Sequence, residues 1–162
     1  MSGEYICDLE SRVWVSSIKY ILDNFDIFEF DKEKTHMLWV VNGGHIRRHV
    51  KDDTLILEWL KKILPGYSGT GLNLYRGECN FLYKNKMIGF CWTPKREVAE
   101  NFASGLNSIE SGGVLLKSFV PKEAILSAPN DHSINWLNES EYTCDPTKLT
   151  NIEVIGHFKK YE

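Results

Sequence analysis

The stretch GFCWTPKREVAENFA, residues 89–103, decides how this chain is read. It begins as a short apolar strand, turns at Thr93-Pro94, and continues as a helix. Val98, Ala99, Phe102 and Ala103 recur at the 3–4 residue spacing that puts side chains on one helix face. Thr93 suits an N-cap, because its hydroxyl can accept from a free backbone N–H. Pro94 suits the first helical position, where a missing N–H costs nothing. A strand that ends in a hydroxyl at a helix N-terminus can hold an anionic or polar ligand. An ordinary strand–helix junction meets the same description, so the neighbours decide. They are Tyr75-Arg76-Gly77 before it and Glu139-Ser140-Glu141 after it.

The chain around this stretch has 162 residues, 43% hydrophobic and 25% charged, which is ordinary for a globular protein with a real core. A formal net charge of −3 argues against bulk electrostatic binding to nucleic acid. Cys7, Cys79, Cys91 and Cys144 are scattered without a C-x-x-C pair, so neither a cysteine zinc site nor a disulfide scaffold is expected. No secretory signal or apolar run of about 18 residues is found, and a reducing cytoplasm is the default expectation.

Taken in order, the chain opens with helical patterns. Val13, Ile18, Ile21, Leu22 and Phe25 predict a helix over 11–28. A second helix is predicted over 35–50, although Gly43-Gly44 weakens it by about 1 kcal/mol per glycine. The clearest helix is predicted over 53–64, capped by Asp53 and stopped by Pro65-Gly66. Strands are then predicted over 72–76, 87–92, 113–120, 124–127, 140–144 and 152–158, interrupted by one helix over 95–103. Helices first and strands after suggest an α+β fold rather than alternating βαβ units. The chain reads as a single domain, 1–162, with a helical portion over 1–65 and a mostly β core over 66–162.

Phosphate-loop motifs are absent, and the glycine-rich 66–71 precedes a strand instead of following one. His45 and His49 lie four apart but lack the glutamate of a zinc-protease helix, so they read as a solvated basic face that could also meet an acidic partner. No metal site is expected. Arg76 before Gly77 could clamp a diphosphate or carboxylate with two hydrogen bonds, or simply form a surface ion pair. Glu139 and Glu141 are two apart, which on a strand puts both carboxylates on one face. Their repulsion can raise the pKa of one, a useful property beside a positive sugar-like transition state. A solvated strand edge would show the same pattern.

Together these residues resemble the arginine–serine–glutamate class of ADP-ribosyltransferases, which includes clostridial and cholera-type toxins and bacteriophage enzymes. Tyr75-Arg76-Gly77 resembles the first-strand arginine motif. Cys91-Trp92-Thr93 resembles the Ser-Thr-Ser motif, with Ala99 and Phe102-Ala103 in the helix that follows. Glu139-Ser140-Glu141 resembles the Glu-x-Glu motif, and Asp145-Pro146 with 152–155 resembles the family's ending. The likeness spans roughly 72–158.

The resemblance implies a two-sheet, mixed or antiparallel core with NAD bound as a substrate in the cleft between the sheets, without a metal. Arg76 and Gly77 would lie at the NAD phosphates or nicotinamide ribose. Cys91, Trp92 and Thr93 would line the cofactor side, with Trp92, Phe81 or Tyr83 as stacking candidates. Glu141 would bind the ribose 2′-hydroxyl, and Glu139 would orient or deprotonate the acceptor. The implied activity is mono-ADP-ribosylation of a macromolecule in a bacterial cell, with an arginine side chain as the first acceptor to consider. The charge favours protein over nucleic acid as the target. A monomer without membrane attachment is the expected state. An NAD glycohydrolase would use the same residues, and a catalytically inert binding module would keep only the fold. Cys91 departs from the motif, because a thiol is a poorer hydrogen-bond donor than a hydroxyl.

Overall fold

The computed structural model describes residues 3–160, with side chains from Glu10 onward. Cys7 therefore lies outside the described side chains. The chain forms two compact units, Met1–Pro65 and Gly66–Glu162. The division falls where the sequence pattern changes from helical to β.

The first unit is three helices: α1 (Gly3–Asp23), α2 (Lys32–Val50) and α3 (Asp53–Ile63). A 3₁₀ turn, Phe25–Ile27, follows α1, so the helix ends earlier than the apolar spacing suggests. Asp31 caps α2, accepting from the Lys34 N–H at 3.1 Å. Asp52, not Asp53, caps α3, accepting from the Leu55 N–H at 3.0 Å. Asp53 is instead held by Arg47 in a two-pronged ion pair, with contacts of 2.9 and 2.8 Å. Trp39 and Trp59 are buried with Ile18, Ile46, Ile56 and Leu60, so both tryptophans are core residues.

The second unit holds two antiparallel three-stranded sheets. One sheet has the order β1 (Leu72–Cys79), β3 (Gly113–Val120), β6 (Ile152–Phe158). The other has the order β2 (Cys91–Trp92), β5 (Tyr142–Cys144), β4 (Ile125–Ser127). Two helices, α4 (Asn80–Lys84) and α5 (Arg96–Ser104), complete the unit with short 3₁₀ turns and one π turn. The α+β fold and its order, helices first and strands after, are as the sequence predicts.

Alternation along the strands sorts the core into two layers. Leu74, Val114, Leu116 and Val120 of the first sheet meet Trp92, Ile125 and Cys144 of the second, so the sheets pack face to face. On the other face of the first sheet, Tyr75, Leu115, Ile155 and Phe158 pack against Ala99 and Ala103 of α5. The sheets are also joined at one edge. Tyr75 and Thr93 exchange two backbone hydrogen bonds, at 2.7 and 2.9 Å.

Gly77 is expected from sequence to be a turn at the end of the first strand. The strand instead runs two residues further, through Cys79. A Cβ at Gly77 would collide with the Ala99 carbonyl and come within 2.5 Å of the Ala103 nitrogen. Glycine is there because α5 lies directly on β1, so Gly77 serves helix–sheet packing. Gly77→Ala is therefore expected to destabilise the fold by about 1–3 kcal/mol, the usual cost of overpacking. Calorimetry should show this as a loss of several degrees in Tm, and an unchanged Tm would refute the close approach.

Candidate active site

Arg76 lies on the face of β1 that looks toward the second sheet, beside Leu74 and Glu78. Its Nε donates to the Glu78 carboxylate at 2.7 Å, and its Nη1 donates to the Cys91 carbonyl at 2.7 Å. Nη2 packs against Gly89, where a Cβ would displace it. The Glu78 carboxylate also accepts from the Gly89 N–H and its neighbour Cys79 N–H, both at 2.9 Å. The arginine side chain is 15% exposed and the glutamate 1%. Burial works against both charges, yet each is held charged by the other. Arg76 is raised by Glu78, and Glu78 is lowered by Arg76 and its two N–H donors. Four groups thus tie β1 to the segment leading into β2.

That segment is not the long strand predicted over 87–92. Only Cys91 and Trp92 are paired as a strand, because the Gly89 N–H is spent on Glu78. Cys91 lies opposite Thr143, and Trp92 opposite Tyr142. Alternation then puts Cys91 and Thr143 on one face and Trp92 on the other. Trp92 is 1% exposed in the inter-sheet core, with its indole N–H donating to the Gly89 carbonyl at 3.2 Å. Its side chain is part of the core.

Thr93 is not the helix N-cap, since α5 begins at Arg96 with Lys95 in the cap position. Its hydroxyl accepts from the Lys95 N–H at 3.1 Å and donates to the Glu139 carbonyl at 2.5 Å. Lys95 reaches the same loop, its Nζ donating to the Asn138 carbonyl at 3.0 Å. The junction singled out from sequence therefore does hold a partner, and that partner is the acidic loop.

Glu139 and Glu141 do not project from a strand. β5 begins at Tyr142, and Ser140 adopts a left-handed φ of 49°. The strand-face argument for the pair is corrected: the two carboxylates stand on a tight turn. Ser133, fully buried in the π turn His132–Trp136, organises that turn. Its carbonyl accepts from the Glu139 and Ser140 N–H groups, at 2.9 and 3.2 Å. Its hydroxyl accepts from the Glu141 N–H at 2.8 Å.

Arg76, Cys91 and Glu141 lie close enough to perturb one another electrically. Burial pushes the Glu141 carboxyl up to about 7, and Glu139 adds to the rise while the Cys91 thiol and Arg76 oppose it. Burial likewise holds the Cys91 thiol well above its ordinary range, with Glu141 reinforcing it. Glu139 is raised by burial and partly restrained by His132. Glu141 Oε1 and Thr143 Oγ1 are buried without a hydrogen-bond partner. Such atoms are costly unless something else satisfies them. Beside Glu139, a groove of about 400 Å³ runs between Val98, Phe102, Leu106 and Leu137.

The structure thus brings Arg76, Cys91, Thr93, Glu139 and Glu141 into one region, while Gly77 packs against α5 and the Trp92 side chain lies in the core. Glu78, Gly89 and Ser133 were not anticipated. Glu78 was readable, since it lies two residues beyond Arg76 on the same strand face. No local pattern marks Ser133. No family model, curated protein or solved structure matches the chain.

Removing one member of a buried ion pair strands the other. Glu78→Ala is expected to cost about 3–5 kcal/mol in urea unfolding, and Arg76→Met with Glu78→Leu should recover much of it. Because the folded-state pKa of Glu78 is depressed below its ordinary 4.5, the pair's contribution is complete above that value. It should disappear as pH falls through the lowered pKa.

Proposed function

We propose that the second unit is a mono-ADP-ribosyltransferase that takes NAD as substrate and releases nicotinamide. One observation carries the reading: Glu141 has a buried, unpartnered carboxylate oxygen and lies within electrostatic reach of Arg76 and Glu139. A carboxylate with one oxygen still unspent is suited to the 2′-hydroxyl of the nicotinamide ribose. Its pull strengthens as the ribose becomes an oxocarbenium ion. The ribose C1′–nicotinamide bond breaks, and its electron pair leaves with nicotinamide. The acceptor's nucleophile then bonds to C1′, and its proton passes to Glu139.

The other residues keep this geometry. Thr93 and Ser133 fasten the acidic turn from opposite sides. Arg76 offers a ligand only the donors that Glu78 and the Cys91 carbonyl leave over, so its main work is to shape the cleft and supply positive potential. The acceptor is a macromolecule, a protein ahead of a nucleic acid given the net charge of −3, and an arginine side chain is the first to test. No helix among the described residues is long and apolar enough to cross a membrane. A bacterial cytoplasm is the proposed setting.

A second reading has one observation in its favour. The engagement of Arg76 by Glu78 suits a binding module that uses the fold without turning NAD over. Labelled NAD incubated with cell lysate separates the two. Transfer of label that falls at least about a hundredfold in Glu141→Gln supports the enzyme. Undiminished transfer in that variant would refute the site, and no nicotinamide release with no NAD binding would favour the module.

The charge state of Glu141 gives a further expected outcome. Glu141 must be ionised to accept from the ribose hydroxyl, and burial keeps it protonated until pH rises through about 7. kcat/KM, which reports the free enzyme, should therefore climb with an ascending limb near pH 7. A profile flat from pH 5 to 8 would contradict the assignment.

A further inference from the structure

We propose that the helical unit carries a transition-metal site, suited to Zn2+, formed by Glu10, His45 and His49. The residues come from two helices. His45 and His49 are one turn apart on α2, a spacing that points both imidazoles the same way. Their ring centroids are 4.3 Å apart, with the planes inclined at 52°. Glu10 reaches in from α1, its Oε2 3.3 Å from His49 Nε2. One ligand atom from each of the three residues lies within 4.8 Å of the other two.

These separations can be compared with what a metal demands. Zinc bonds of about 2.0–2.1 Å to nitrogen and oxygen, set tetrahedrally, place ligand atoms roughly 3.3–3.4 Å apart. The Glu10–His49 edge already has that length. The remaining edges close by rotation of Glu10 and His45, which are exposed. An ion pair between Glu10 and His49 explains two of the three groups. It does not call for a second imidazole beside them, which would repel the first when both are protonated. A divalent cation uses all three: two neutral imidazoles, one carboxylate, and an open position for water.

The donor set also selects the metal. Two nitrogens and one oxygen suit zinc, nickel or copper and disfavour calcium or magnesium, which prefer oxygen. Arg47, which lies between the two histidines in sequence, is held by Asp53. Among the described residues no cysteine belongs to the cluster. A bound metal would staple α1 to α2 and stabilise the helical unit, independently of any NAD chemistry in the second unit.

The test uses the full-length chain without a histidine tag, stripped with chelator and titrated with ZnCl2 by calorimetry. Expected is one Zn2+ per chain, a rise in Tm on loading, and binding weakened at least about tenfold by either His45→Ala or His49→Ala. His45 is exposed and His49 partly buried, so circular dichroism should confirm that each variant keeps the fold before its zinc binding is compared. Co2+ should give a visible d–d spectrum that the double variant lacks. No zinc binding by the parent protein would overturn the proposal. So would binding that persists in the double variant, or a Co2+ spectrum with thiolate charge-transfer bands.

Discussion

The second unit depends on one buried charge pair. Arg76 and Glu78 lie where a core would ordinarily hold two aliphatic side chains. Taking both from water is expensive, and the expense is offset only because the two charges are paired and further hydrogen-bonded to the backbone. Glu78 receives two backbone N–H groups as well as the arginine, and Arg76 gives a second hydrogen bond to the Cys91 carbonyl. Those bonds determine where the chain between β1 and β2 must pass. They also explain why residue 89 is glycine, since any Cβ there would displace the guanidinium. An apolar pair could fill the same volume, but it could not specify this path.

From that anchor the order spreads to the acidic turn. Cys91 and Thr93 follow the anchored segment, and Thr93 hands the constraint across to Glu139 through its hydroxyl. Ser133 meets the turn from the other side with three hydrogen bonds. The two carboxylates are therefore positioned largely by backbone contacts, and Glu141 keeps one buried carboxylate oxygen without a partner. Under the proposed transferase reading, that is what a site for charge development requires: a rigid main chain and a carboxylate oxygen held in reserve.

Much of this was legible in the sequence, and the failures have physical causes. Strands over 113–120 and 152–158 match the sequence reading to the residue, because both are rich in apolar residues and begin just after turn-forming residues. Strand 87–92 was overestimated, because Gly89 and Phe90 are apolar for a tertiary reason. The Arg76 strand was cut short at Gly77, because a glycine that admits a helix backbone looks like one that makes a turn. The Glu139–Glu141 spacing was noticed, but its strand geometry was misread. A left-handed serine is uncommon and gives no local sign. Trp92 shows the limit of motif reasoning, since its place in the pattern said nothing about which face it takes. Capping differs by one residue at Asp53, which Arg47 holds while Asp52 takes the cap, and by two at Thr93, whose hydroxyl serves the Lys95 N–H and the Glu139 carbonyl.

Cys91 stands where the resembling motif has a serine, and the exchange has a consequence for the chain's redox behaviour. Thiols react with oxidants and alkylating agents as thiolates, and burial holds both Cys91 and Cys144 strongly in the protonated form. The neighbouring Glu141 reinforces this whenever it is ionised. A sulfur atom at the centre of the site is thus chemically quiet while the two sheets remain packed, and would become reactive only if they came apart. The substitution therefore brings in polarizable bulk without bringing in a nucleophile, and leaves the carboxylates as the groups with protons to exchange.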